Sequence, residues 1–415
     1  MSSGANEMTK NDKQRLLVPK LRFPEYQKSP SWTIKSLGNV CEILNNRRVP
    51  ITTKDRKPGP YPYYGASGIV DYVDEFIFDE RLVLVGEDGA KWEAFDNTAF
   101  IAEDEFWVNN HAHVLKPIGV IDTLLVSYLV RSDVGPYVTG AAPPKLTLAK
   151  LKRIPIPLPP TEAEQQKIAD CLRSLDDLIA AERRNLAALR DHKQGLMQQL
   201  FPREGETRPR LRFPEFQGAG DWEVCAVGNI AKIFKGKGVA KADIVAGGLT
   251  PCIRYAELYT TYGEVITDIK SYTDVSVSAL VLSETEDVII PASGETKADI
   301  ATCACVASAG VALGSDLNVL RSKVDGRFLS YYLNGVKRPE LAKVAQGDTV
   351  AHLYQAQISQ LTVAIPTDAK EQRVIADCLS TIDGQISVKV AKLNALRTHK
   401  HGLMQQLFPA SDSAV

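Results

Sequence analysis

The stretch Gln165–Pro202 is nearly repeated at Gln372–Pro409, and this internal repeat limits the possible folds more than any other feature of the 415-residue chain. The first copy opens Ile168-Ala169-Asp170-Cys171-Leu172 and closes Gly195-Leu196-Met197-Gln198-Gln199-Leu200-Phe201-Pro202. The second opens Ile375-Ala376-Asp377-Cys378-Leu379 and closes Gly402-Leu403-Met404-Gln405-Gln406-Leu407-Phe408-Pro409. A second matched pair begins each half: Pro19-Lys20-Leu21-Arg22-Phe23-Pro24-Glu25 and Pro209-Arg210-Leu211-Arg212-Phe213-Pro214-Glu215. Leu21 and Leu211 lie 190 residues apart but His192 and His399 lie 207 apart, so the second intervening region is 17 residues longer. The regions between these bookends share almost nothing. Such a chain carries two different heads on one frame.

The repeated segment reads as a long helix. Apolar residues fall at Ile168, Leu172, Leu175, Ile179, Leu186, Leu189, Leu196 and Leu200, with polar interruptions at Glu182 and Lys193. In the second copy they fall at Ile375, Leu379, Ile382, Ile386, Leu393, Leu396, Leu403 and Leu407, with Lys389 and Lys400 at the same two places. Steps alternating between four and three are the seam pattern of a coiled coil. Thr161 with Glu164, and Asp368 with Glu371, match the capping-box spacing. Pro202 and Pro409 stop the helices. Each therefore spans about 39 residues, or roughly 58 Å. Alone, such a helix leaves an apolar stripe in water; two in one chain can cover each other. The expected arrangement is an antiparallel pair with pseudo-twofold symmetry and a globular domain at each end. Glu182 is then placed to meet Lys389 or Lys400.

Length suggests more than one core. The expected organisation is a tail over 1–20, a domain over 21–160, a helix over 161–202, a linker over 203–210, a second domain over 211–366, a helix over 367–409 and a tail over 410–415. Both domains read as α+β. Short strand-like runs occur at Arg81–Val85, Ala99–Ile101, Ala112–Leu115, Ala279–Leu282, Val288–Ile290 and Val311–Leu313, and short helices are expected at Leu124–Arg131 and Phe328–Leu333. Each domain ends in an extended proline-bearing segment, Ile154–Pro160 or Val363–Pro366, suited to a strut into the helix. Seven scattered cysteines indicate reduced thiols rather than zinc ligands or disulfides. Met1–Lys20 lacks an apolar signal core and no run reaches the ~20 apolar residues of a membrane span, so a cytoplasmic protein is expected. A formal net charge of −1 gives no global attraction to nucleic acid, and any such contact must be local.

The paired bookends, the helix openings Glu164-Gln165 and Glu371-Gln372, and the turn Pro144-Lys145-Leu146 together resemble the DNA-specificity subunit of type I restriction-modification systems. The resemblance runs from about Leu21 to Pro409. Within the first region, Tyr64-Gly65-Ala66-Ser67-Gly68-Ile69, Val85-Gly86-Glu87-Asp88-Gly89-Ala90 and Trp107–Val114 are similar to segments of that family's target-recognition domains. In the second, Ile290-Pro291-Ala292-Ser293-Gly294-Glu295-Thr296 is similar to another branch of them. The resemblance implies a non-catalytic subunit that reads a split double-stranded DNA target, one half per variable domain. It also implies a helix pair that sets the gap between the halves and docks two methyltransferase subunits. The expected partners further include two restriction/translocase subunits. S-adenosylmethionine, ATP and magnesium are expected on those partners and no cofactor or metal on this chain.

Candidate DNA contacts in the first region are Tyr63, Tyr64, Ser67, Lys91, Trp92, Asn109, Asn110, His111, His113 and Lys145. Amides can pair bidentately with adenine, and basic side chains can meet guanine or phosphate. In the second region they are Arg254, Tyr255, Ser293, Glu295, Thr296 and Lys297. For each, an ordinary role in the fold is the competing reading. Catalytic signals are poor: Gly236-Lys237-Gly238 begins like a dinucleotide loop, but Lys241 occupies the third glycine position. The alternatives are a self-contained DNA-modifying enzyme with an unrecognised site and a protein-binding scaffold with two variable heads.

Overall fold

A computed structural model describes residues 17–347 and 350–409. The tail expected over 1–20 lies outside the described residues as far as residue 16, and the tail over 410–415 lies wholly outside them. The chain divides into two units, Met1–Arg183 with Ala391–Val415, and Arg184–Val390. Each unit holds one globular region together with part of each long helix.

Those helices run over Glu162–Leu200 and Ala369–Leu407, 39 residues apiece. Every expected seam residue is buried or half-buried. In the first unit Lys400 Nζ reaches Asp176 at 2.5 Å and Lys392 Nζ reaches Glu182 at 2.6 Å. As one helix advances from 176 to 182 its partners step back from 400 to 392, so within this unit the two helix segments run in opposite directions. Of the two lysines expected near Glu182, Lys400 instead meets Asp176, six residues earlier in the first long helix. In the second unit Lys193 Nζ bonds Asp383 at 2.6 Å and Glu264 at 2.9 Å, with its charge 5.1 Å from the centre of the Tyr331 ring. This buried lysine, an interruption in the sequence pattern, ties both helices to the globular region of its unit.

The repeated bookends have a common structural role. Arg22 grips Glu164 through two bonds of 2.7 and 2.8 Å, and the Trp32 indole N–H donates to the same carboxylate at 3.2 Å. Arg212 grips Glu371 through two bonds of 2.7 Å, with Trp222 donating at 3.3 Å. The remaining guanidinium donors go to the carbonyls of Ser29 and Pro30 in one unit and of Ala219 and Gly220 in the other. The capping-box expectation needs correction here. Thr161 does accept from Glu164 N, at 3.3 Å, but the glutamate side chain points away to Arg22. In the second copy Glu371 N donates to the Asp368 carbonyl, at 3.0 Å, and its carboxylate belongs to Arg212. A buried bidentate ion pair is worth more than a bond back to an exposed backbone N–H, and it takes the carboxylate.

Each tryptophan also meets the terminus of the other helix. Trp32 stands edge-on to Phe408 at 6.2 Å, and Trp222 to Phe201 at 6.5 Å. Leu21 N donates to Gln406 O and Leu211 N to Gln199 O, both at 2.9 Å. Each bookend is thus a socket that holds the start of one long helix and the end of the other.

The two globular regions, so different in sequence, share a sheet order. In the first unit an antiparallel sheet runs Cys41–Ile43, Ala112–Pro117, Leu82–Gly86, Ala99–Ala102. In the second it runs Ala231–Lys235, Leu317–Ser322, Asp287–Pro291, Ala304–Val306, with Val265–Ile266 added in parallel. A second sheet in each contains one parallel pair, Tyr61–Gly65 with Glu105–Val108 or Thr250–Ile253 with Ala312–Leu313. A helix follows the main sheet in both, over Asp122–Arg131 and Gly326–Tyr332. The proline-bearing struts are strands: Pro155–Leu158 pairs with Thr33–Ser36, and Thr362–Ile365 with Glu223–Ala226. Two-stranded ribbons expose edges, where a proline without an N–H does no harm. Ala279–Leu282 is not a strand. It is a tight turn over Val277–Ala279 followed by one isolated bridge from Leu282 to Ala312, and its leucines cover the small cluster of Val239, Cys252 and Ala312.

Candidate nucleic-acid interface

Three of the motifs singled out in the first region meet at one end of its main sheet. Gly86–Ala90 leaves the strand Leu82–Gly86, Asn109–His111 turns between two strands, and Pro144-Lys145-Leu146 crosses beside them. The Glu87 N–H donates to the His111 carbonyl and the Leu146 N–H to the Glu87 carbonyl, both at 2.8 Å, and Asp88 bridges Lys145. Side chains reinforce this backbone knot. Arg48 donates to Glu87 Oε2 at 2.6 Å and to the Ala112 carbonyl at 2.7 Å, while Lys145 Nζ lies 2.9 Å from Glu87 Oε1 and 3.6 Å from Asp88. His111 bonds Asp88 through Nδ1.

Burial alone would raise the Glu87 carboxyl, but hydrogen bonds from Arg48 and Lys145 outweigh it and hold the group below its ordinary pKa. Lys145 is raised by the same bond from its side. The result is a surface with fixed donors at Lys145 and His111 above a buried carboxylate. Such an arrangement can present donors to base edges or phosphates with little rearrangement. Arg48, Glu87 and Asp88 were not among the sequence candidates, although the Arg47-Arg48 pair just past a strand was a signal for one of them.

His113 is different in kind from His111. It is fully buried, Nε2 donates to the Leu146 carbonyl at 2.7 Å, and Nδ1 faces Asn45 Nδ2 at 2.8 Å. These partners fix the neutral tautomer. Desolvation lowers its pKa below the ordinary 6.5, against the raising effect of the Leu146 bond and Glu87. The unfolded chain therefore takes the proton first as pH falls, and stability present at neutral pH is lost below about pH 6.5. In the second region Asn318 stands in the corresponding place and donates to the Leu353 carbonyl at 2.9 Å. We expect His113→Asn to make the fall in thermal stability between pH 7 and 5 less steep. His401, stacked on Phe95 at 4.3 Å and also lowered by burial, leaves a residual slope. An identical pH profile in the variant refutes this assignment.

The other candidates divide by burial. Tyr63 is a core residue whose hydroxyl accepts from Ile51 N at 3.0 Å, and Trp92 is buried with its indole on the Gly86 carbonyl at 3.2 Å. Asn109 is buried and its side chain accepts from His111 N at 2.7 Å, shaping the turn. Tyr64 packs against Phe100 and Phe106. These side chains build the fold, and those of Tyr63, Trp92, Asn109 and His113 have almost no surface to offer a duplex. Ser67, Lys91 and Asn110 are exposed.

In the second region Arg254 is half-buried and contacts Glu257 at 4.0 Å, and Tyr255 packs against the core. Ser293 pairs in register with His352. Thr296 caps the short helix Lys297–Ile300, and Glu295 and Lys297 are exposed. The Gly236-Lys237-Gly238 segment has a structural explanation: a Cβ on Gly236 would stand 2.1 Å from the Gly314 carbonyl, so the glycine permits close approach of two backbones. Among the described residues no group of three or more His, Cys, Asp or Glu is placed to hold a metal ion, all seven cysteines are free, and no helix is long and apolar enough to cross a membrane.

A family model described as the type I restriction modification DNA specificity domain matches this chain twice, over residues 30–190 and 219–398. A putative type I restriction enzyme specificity subunit from Haemophilus influenzae is 38% identical over 145 residues, which are 34% of this chain and 37% of that protein. The match thus spans little more than a third of that relative's length. The MjaVIII type I restriction enzyme specificity subunit of Methanocaldococcus jannaschii is 20% identical over 409 residues, 93% of each chain. The crystal structure of a type I restriction-modification S subunit from M. genitalium has the same fold, with a TM-score of 0.65 at 15% identity over 95% of this chain and 100% of that one.

Proposed function

The chain belongs to the type I restriction-modification DNA-specificity family, and from that membership we propose that it is a non-catalytic recognition subunit whose two globular regions each read one half of a bipartite duplex target. The observation that carries this reading is the shared sheet order of two regions whose loop residues differ, as expected of two readers with different sequence preferences. The long helices form one antiparallel coiled coil with pseudo-twofold symmetry, which sets the gap between half-sites and docks two methyltransferase subunits. Half-sites read in adjacent major grooves lie about 34–36 Å apart, within the reach of a roughly 58 Å helix. Two restriction/translocase subunits complete the assembly. S-adenosylmethionine, ATP and magnesium reside on the partners, and so does catalysis. A net charge of −1 suits a subunit whose partners supply much of the phosphate contact.

Exchanging Leu21–Pro160 for another recognition domain of the family tests the reading. Methylated adenines mapped in a genome that expresses the hybrid with its methyltransferase are expected to change in one half-site and keep the other. A change in both halves, or in neither, refutes it. A protein-binding scaffold predicts no sequence-specific methylation pattern at all.

A further inference from the structure

The backbone knot of the first region is repeated in the second with other side chains on it. Ala292 N donates to the Asp316 carbonyl at 2.7 Å, and Leu353 N to the Ala292 carbonyl at 3.0 Å. These bonds match those from Glu87 to His111 and from Leu146 to Glu87. The bridge between Asp88 and Lys145 has its counterpart in the pairing of Ser293 with His352, and that between Thr139 and Lys145 in the one between Gln346 and His352. Asn318 on the Leu353 carbonyl completes the match with His113 on Leu146. Position by position, Ser293 stands for Asp88, Asp316 for His111 and His352 for Lys145.

From this correspondence, which rests on the function proposed above, we infer that Ser293, Asp316 and His352 are the base-contacting set of the second region. Asp316 and His352 are exposed. The segment carrying His352 alternates: Ala351 and Leu353 are buried, while Val350 and Tyr354 share the outer face with the histidine, whose ring stacks on Tyr354 at 6.2 Å. An aspartate accepts from the cytosine amino group, an imidazole donates to the acceptors of guanine, and a flanking apolar side chain suits a thymine methyl. The first region presents Lys145 and His111 at this end where the second presents His352 and the Asp316 carboxylate, so the two read different base edges from one backbone frame.

The test replaces Asp316 and His352 by alanine, separately, in the chain co-produced with its methyltransferase, and maps methylated adenines across the host genome. Each variant is expected to lose about 5- to 150-fold of its discrimination at one base position of the second half-site. Preferences in the first half-site stay unchanged, which shows that the complex assembles. Unaltered base preferences in both variants overturn the assignment. If an alanine variant abolishes methylation everywhere, His352→Lys decides, because it installs the residue type of the first region. A changed base in the second half-site then supports the set and an unchanged one overturns it. Exchange of Leu211–Pro366 in parallel separates the two levels of the argument. If that exchange alters one half-site and the point variants do not, only this assignment fails. If the exchange alters nothing, the function itself is misread.

Discussion

Glu164→Ala is expected to destabilise the first unit by about 3–5 kcal/mol, the cost of leaving one member of a buried ion pair without its partner. The carboxylate and the guanidinium of Arg22 are 1% and 6% exposed, so water cannot rescue either. The substitution also strips the Trp32 indole of its acceptor and leaves the start of the first long helix without its anchor. Glu371→Ala is expected to do the same to the second unit, where Arg212 and Trp222 hold equivalent places. Replacing both members, as in Arg22→Met with Glu164→Leu, is expected to recover most of the loss, because an apolar pair of similar volume needs no compensating charge. Urea unfolding followed by tryptophan fluorescence measures these effects. The four tryptophans divide three to one between the units, so the two sites report separately. An unchanged midpoint for Glu164→Ala would mean that the socket contributes nothing to holding helix and globule together.

A second large effect is expected from lengthening both long helices by seven residues, between Arg183 and Arg184 and between Val390 and Ala391. Seven residues add about 10.5 Å, and the seam returns to within about 20° of its former facing. Three base pairs span nearly the same distance, at about 3.4 Å each. On the proposed reading the mapped target therefore widens by three base pairs, with both half-sites unchanged and the original target no longer methylated. The duplex turns about 100° over three base pairs while the helix pair scarcely turns, so the widened target is expected to be methylated more slowly than the original. Unaltered spacing with normal methylation would refute the idea that the helices measure the gap.

The helices themselves were legible because their signal is local and doubled. A seam stepping four and three, a polar break at matching places and a terminal Leu-Phe-Pro need only neighbouring residues to be read. The same local reading misassigned Glu164 and Glu371. Three residues from a helix start, each looks like a reciprocal cap, and nothing nearby reveals that its partner is an arginine 142 or 159 positions away. His111 and His113 looked alike for a related reason. Both were polar candidates at the edge of the run expected from Ala112, and only the packed sheet separates them, leaving His111 exposed in the turn and His113 in the core. The motifs around Gly86–Ala90, Asn109–His111 and Pro144–Leu146 were recognisable one by one, but their convergence depends on sheet order.

The sequence by itself determined a duplicated frame: two long amphipathic helices, the bookends that flank the variable regions and the apolar positions that recur along both helices. Periodicity and repetition record these without reference to distant contacts. Only the tertiary structure decided what the bookends grip, that the second region has the main sheet order of the first, and which candidates keep their side chains in solvent. Those outcomes depend on which far-separated segments pay the desolvation of a shared charge or pair their backbones, and such choices leave no local pattern to read.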